Sequence, residues 1–319
     1  MYLLPDVWTW DSWFVDDGQK FHAFYLKASR ALIDPDHRHG RASVGHAISD
    51  DLRAWTELPD ALVTSDGPAF DDQAIWTGSI VQGPDGLWRF FYTACSRSNP
   101  LLQRIGLATS SDLMTWTKTS DWQVLEADPR YYEKHGDSEW GDEAWRDPWV
   151  YPDPDGDGWH MLLTARARHG ELRERGVVGH ATSPDLAAWT IRPPLSTPDA
   201  GFGQLEVPQV AEVESRWVLV FSCLHSELSD ERRRAEPGGG IWAVPVDSPT
   251  GPFDLSQATR LTGPELYAGR LVRDRSGQWN LMAFHNVDED GAFVGCLADP
   301  VPVSWVDDRL AVAASATTR

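Results

Sequence analysis

An eleven-residue pattern recurs along the chain and limits the architectures open to it. Gly45-His-Ala-Ile-Ser-Asp-Asp-Leu-Arg-Ala-Trp55, Gly106-Leu-Ala-Thr-Ser-Ser-Asp-Leu-Met-Thr-Trp116 and Gly179-His-Ala-Thr-Ser-Pro-Asp-Leu-Ala-Ala-Trp189 share the form Gly-x-Ala-x-Ser-x-Asp-Leu-x-x-Trp. A degenerate fourth copy starts at Gly240 and ends near Phe253. The starts lie 61, 73 and 61 residues apart. A recurring unit of this length points to stacked supersecondary modules that bury apolar faces against their neighbours.

Each copy reads as a short strand, a Ser/Asp turn, and a Trp that opens the next segment. An apolar, aromatic strand pattern precedes each copy: Lys20–Leu26, Leu87–Thr93, Gly158–Thr164 and Arg216–Ser222. A fifth such run is Gln278–Phe284. Most follow a Gly/Asp hairpin signal, such as Pro84-Asp-Gly86 or Arg275-Ser-Gly277. Amphipathic helices are scarce; the charged stretches Glu171–Arg175 and Ser226–Glu236 read as loops or short helices. Five units of about four strands make an all-β, five-bladed β-propeller the economical fold. A β-sandwich also uses many short strands but needs no repeat of this length. No Pro/Gly/Ser linker divides the chain, so one domain is expected over residues 1–319, with blades starting near 7, 74, 144, 203 and 265.

Propeller blades set their first strand around a central axis. Counting forward to the repeat glycine gives 34 residues from Asp11, 32 from Asp147 and 34 from Glu206. Three carboxylates thus fall at nearly the same place in blades one, three and four, where inner strands face one axial pocket. Paired carboxylates are what glycoside hydrolysis needs: one as nucleophile or base, one with a raised pKa as acid. A third can orient the sugar or stabilise the transition state.

Composition agrees with a sugar site. The chain carries 17 tryptophans and only 4 methionines, and flat aromatic faces suit either layered β packing or stacking on carbohydrate. A formal charge of −20 repels phosphate backbones, so nucleic acid is not an expected partner. Three widely spaced cysteines make neither a disulfide framework nor a zinc spacing. The N-terminus shows no signal-peptide pattern and no run approaches the length of a membrane span, so a cytoplasmic location is expected.

At these residues the chain resembles the five-bladed enzymes of glycoside hydrolase families 32 and 68, the β-fructofuranosidases, levansucrases and inulosucrases. Trp10-Asp11-Ser12-Trp13 is similar to the family 68 nucleophile motif, and the Asn-Asp-Pro-Asn-Gly motif of family 32 is missing. Trp76-Thr-Gly-Ser79 resembles the second-blade substrate motif of both families. Arg146-Asp147-Pro148 matches their Arg-Asp-Pro motif, and Glu206-Val-Pro208 is similar to the Glu-Cys-Pro acid/base motif of family 32. In family 68 the acid/base lies in Glu-x-Glu-Arg; Gln204 takes the first position here and no Arg follows. The resemblance implies a retaining mechanism on β-fructofuranosides: Asp11 as nucleophile, Glu206 as acid/base, Asp147 with Arg146 as transition-state stabiliser, and no cofactor or metal. It implies apolar walls from Trp10, Trp13 and Trp76, and further sugar contacts from Ser79, Gln204, Tyr267 and Arg270. The chain continues for about 50 residues after Tyr267, too few for the β-sandwich that usually follows the family 32 propeller. Two other readings remain open: an arabinofuranosidase-type furanosidase of the family 43 or 62 kind, and a non-catalytic carbohydrate-binding propeller.

The run Asp153-Pro-Asp-Gly-Asp-Gly158 starts like a calcium loop. The twelfth position, where an EF-hand places Glu, is Thr164. Lying between two strand patterns, the run is expected to be a hairpin turn.

Overall fold

The computed structural model describes residues 1–236 and 238–313. Among the described residues, twenty-one strands form five antiparallel sheets. Blade 1 contains β1 (Val7–Asp16), β2 (Phe21–Ser29), β3 (Ser43–Ser49) and β4 (Trp55–Leu62). Blade 2 contains β5 (Ala74–Gln82), β6 (Trp88–Ser96), β7 (Asn99–Ser110) and β8 (Thr117–Lys118). Blade 3 contains β9 (Trp145–Pro152), β10 (Trp159–Arg166), β11 (Gly176–Ser183) and β12 (Thr190–Arg192). Blade 4 contains β13 (Glu206–Val213), β14 (Arg216–Cys223), β15 (Gly240–Val246) and β16 (Thr259–Arg260). Blade 5 contains β17 (Leu266–Arg273), β18 (Trp279–Val287), β19 (Phe293–Leu297), β20 (Val301–Val306) and β21 (Arg309–Val312). It exceeds the expected four strands because β19 and β20 both pair with β18. The first strand of each sheet touches the first strand of the next, and β17 closes back on β1. This is the expected five-bladed propeller.

The repeat proves to be the corner after the third strand of blades 1 to 3. Asp51, Asp112 and Asp185 each accept two backbone N–H bonds from the residues that follow, at 2.8–2.9 Å. The preceding Ser49, Ser110 and Ser183 each accept the aspartate's own N–H. These donors hold the three carboxyls below their ordinary range. The turn forces Leu52, Leu113 and Leu186 to φ of 63°, 63° and 66°. Each leucine is nonetheless buried, so packing offsets a backbone cost of about 1–2 kcal/mol. Gly45 and Gly106 are glycine because the Tyr25 and Tyr92 rings of the neighbouring strand lie where a Cβ would stand.

The core lies between blades. Trp13, Phe24 and Phe90 fill the wedge of blades 1 and 2, Tyr132, Trp145 and Met161 that of blades 2 and 3, and Phe202, Phe221 and Trp242 that of blades 3 and 4. Blades 4 and 5 meet through aliphatic residues such as Val220, Ile241 and Leu281. Most of the tryptophan surplus is thus packing. The charged stretches form short 3-10 turns (Leu172–Glu174 and His225–Glu227) and one six-residue helix, α1 (Asp230–Ala235). The Asp153–Gly158 run is the β9–β10 hairpin, closed by an Asp153 N–H bond to the Gly158 carbonyl at 2.9 Å. Among the described residues no helix is long and apolar enough to cross a membrane.

Candidate active site

Every inner strand carries one extra residue relative to its partner, and all five bulges lie at one level. Register shifts fall at Trp10/Ser12, Trp76/Gly78, Arg146/Trp149, Glu206/Gln209 and Tyr267/Arg270. A bulge bends the strand and re-aims side chains. Asp147, Val207 and Ala268 take positive φ there, at 56°, 53° and 51°. The residue just before the bulge is Trp10, Trp76, Arg146, Glu206 or Tyr267, and all five line one axial cavity of about 250 Å³. Asp11, Thr77, Asp147 and Val207 follow them into it.

The three sequence-identified carboxylates therefore meet, but not at one register. Asp11 and Asp147 are bulge residues; Glu206 stands one residue earlier, level with Arg146 and Tyr267. Counting to the repeat glycine crosses connections of different length, and this hides a one-residue difference.

Each carboxylate has defined partners. The Thr77 hydroxyl donates to Asp11 Oδ2 at 2.5 Å. Asp147 Oδ2 accepts from the Thr164 hydroxyl at 2.8 Å and from Val207 N–H at 3.1 Å. Arg146 donates to Glu206 Oε1 at 2.9 Å, and the Tyr267 hydroxyl donates to Glu206 Oε2. Arg146 also reaches Gln204 Oε1 (2.7 Å), Gln103 Oε1 (3.1 Å) and Asp142 Oδ2 (3.3 Å). Burial, with the charge of Asp147, raises Asp11 to about 7, against the opposing pull of the Thr77 hydroxyl. Carboxylate neighbours hold Arg146 firmly charged despite burial. Burial and Glu206 push the Tyr267 hydroxyl well up, so it remains a donor.

The same level also joins the blades. Thr93, Thr164 and Ser222 occupy one register position on the second strands of blades 2, 3 and 4. Thr93 Oγ1 accepts Asp147 N–H, Ser222 Oγ accepts Ala268 N–H, and Thr164 Oγ1 lies equally close to the Leu205 carbonyl and Asp147 Oδ2, its one proton divided between them, all at 2.8–3.0 Å. Leu26 and Phe284 hold that position in blades 1 and 5 and line the cavity.

Four expected substrate contacts do not reach the cavity. Trp13 lies past the bulge, where the strand's alternation turns it into the core, stacked on Phe24 at 6.5 Å. Ser79 is buried and accepts Val150 N–H at 3.0 Å. Arg270 is buried outside the cavity lining and donates to the Val207 and Pro208 carbonyls. Gln204 is buried between Arg146 and Glu227. Conversely, the sequence reading missed Arg38, His39, Asp142, Thr77 and Asn286 on the cavity wall. Arg38 and His39 come from the Pro35–Arg41 3-10 turn, which packs beside Trp10 and Trp76. Only Thr77 had a signal, since it follows Trp76 as Asp11 follows Trp10.

Fold and pocket together define a glycoside-hydrolase type of propeller, with acidic residues converging on the axis. The chain belongs to glycoside hydrolase family 32: residues 13–296 match the family model "Glycosyl hydrolases family 32 N-terminal domain". The match begins just past Asp11. A curated relative, the insoluble isoenzyme of β-fructofuranosidase from Arabidopsis thaliana, is 26% identical over 59% of this chain and 32% of that enzyme. The chain thus matches about a third of that relative's length. Among solved structures, the inulosucrase from Halalkalicoccus jeotgali bound to kestose aligns with a TM-score of 0.80 at 22% identity, covering 97% of this chain and 87% of that one. The levansucrase from Gluconacetobacter diazotrophicus aligns at 0.76 and 18%, covering 98% and 82%.

Proposed function

We propose that this protein cleaves β-fructofuranosides with retention of configuration. The observation that carries the reading is the convergence of Asp11, Asp147 and Glu206 in one small axial cavity, with Arg146 and Tyr267 fixing Glu206. Family membership supports the chemistry. Asp11 attacks the anomeric carbon while Glu206 gives its proton to the departing oxygen, and the glycosidic bond breaks. Water then attacks the glycosyl–Asp11 ester and returns a proton to Glu206. Asp147 and Arg146 bind ring hydroxyls that tighten as positive charge develops on the ring. At about 250 Å³ the cavity falls below the usual range for drug-sized ligands, which favours one terminal sugar ring and hence action at chain ends.

The test is one incubation series with sucrose, inulin, levan and aryl arabinofuranosides, analysed for free sugar, oligomers and first-formed anomer. Release of fructose with retained configuration supports the reading. Larger fructosylated products assign transfer in place of hydrolysis. Turnover of arabinofuranosides alone, or an inverted product, overturns it.

A further inference from the structure

Beside the proposed acid/base stands a second carboxyl that the mechanism above does not use. Glu227 ends the His225–Glu227 turn, next to the cavity residue Leu224. Its Oε1 accepts from Gln204 Nε2 at 2.5 Å. Gln204 turns its own oxygen to Arg146 at 2.7 Å, and the same Arg146 nitrogen holds Glu206 Oε1 at 2.9 Å. The line Glu227–Gln204–Arg146–Glu206 is continuous, and Gln204 is fixed at both ends. Glu227 Oε2 is buried with no hydrogen-bond partner. An ionised carboxylate makes such a buried, unpartnered oxygen costly, whereas the neutral acid lowers that cost.

We propose that Glu227 is a positioning residue for Glu206, and that the two carboxyls titrate as a pair through the Gln204–Arg146 line, one ionised while the other is neutral. The inference rests on the assignment of Glu206 as acid/base. Arg146 and Tyr267 both donate to Glu206, so neither takes a proton from it. Asp11 and Asp147 face the sugar, whereas Glu227 stands behind Glu206, joined to it through Gln204 and Arg146. The ionisable groups facing Glu227 are Glu206 and Arg146, with Tyr267 and Cys223 farther along the same wall. Burial, and after it the charge of Glu206, push Glu227 up to about 8.

The test uses the full chain with glutamate carboxyl carbons labelled for NMR, the two signals assigned from Glu206→Gln and Glu227→Gln. In the wild type the pair releases its last proton above neutral pH. In E227Q, which keeps the oxygen facing Gln204, Glu206 alone titrates at least about one pH unit lower. The basic limb of kcat/KM moves with it, so the E227Q-to-wild-type ratio falls about tenfold per unit across the window between the two limbs. Glu227→Asp restores part of the shift. A Glu206 titration unmoved in E227Q overturns the proposal, even if E227Q is less stable or less active. Normal coupling without any furanoside cleavage leaves the pairing intact and overturns the enzymatic reading instead.

Discussion

Thr77 occupies in blade 2 the bulge position that Asp11 occupies in blade 1, and its hydroxyl donates to that carboxylate at 2.5 Å. One ring position thus supplies both the proposed nucleophile and the group that steadies its charge. Thr77→Val is expected to raise Asp11 further and move the acidic limb of kcat/KM to higher pH. A hydrogen bond to a charged group contributes about 1.5–3 kcal/mol, or roughly a 10–100-fold loss near neutral pH. Thr77→Ser retains the limb. A pH–rate profile of the three proteins checks this.

Asp11 also makes stability depend on pH. Below its ordinary value of 3.8, the carboxyl is protonated in both folded and unfolded chains. Between there and about 7 the unfolded chain releases the proton and the folded chain keeps it, so stability falls as pH rises. The full difference is on the order of 4 kcal/mol above pH 7. Asp11→Asn removes it and is expected to melt higher than wild type at pH 8, with the advantage gone at pH 4. Thermal melts at both values decide; an advantage independent of pH contradicts the assignment.

Asp147 combines a positive φ with two buried donors on one oxygen. Asp147→Ala leaves the buried Val207 N–H without its acceptor and Thr164 with the Leu205 carbonyl alone, and is expected to cost about 1–3 kcal/mol of stability as well as activity. Asp147→Asn tolerates the backbone and retains an acceptor, so it loses turnover with a melting point closer to wild type. Calorimetry paired with initial rates separates the two effects.

Two tryptophans from adjacent motifs have opposite roles. Trp13→Ala removes a fully buried ring and is expected to destabilise by about 3–5 kcal/mol. Trp76→Ala strips a cavity wall that also bonds the His39 carbonyl at 2.8 Å, so KM rises more than stability falls. Equal losses of stability in denaturant melts run counter to this division.

The sequence revealed most where local chemistry repeats. Ser49, Asp51, Leu52 and Trp55 form a self-contained turn; its three copies and a degenerate fourth set the period, and five apolar strand runs set the blade count. Asp11, Asp147 and Glu206 emerged for the same reason. Alternation alone could not show which neighbours reach the axis, because each bulge shifts the phase by one residue and sends Trp13 and Ser79 inward to packing roles. Arg38 and His39 lie in an irregular turn with no periodicity, and Glu227 meets Gln204 only through the tertiary fold. These side chains leave no spacing to count.

The hydroxyl contacts at substrate level have a mechanical consequence. Thr77, Thr93, Thr164 and Ser222 pin four of the five joints of the ring with short directional bonds. The joint between blades 5 and 1 has Phe284 and Leu26 at that level, and Tyr2 clasps Leu297 through two backbone bonds at 2.9 and 3.1 Å. Polar ties close that joint too, from Arg30 to the Val294 and Gly295 carbonyls and from Arg275 to Asp16, but none of these residues lines the cavity. At the level of the substrate the ring is therefore stitched on four sides and greased on the fifth, and the proposed catalytic carboxylates all stand on the stitched side.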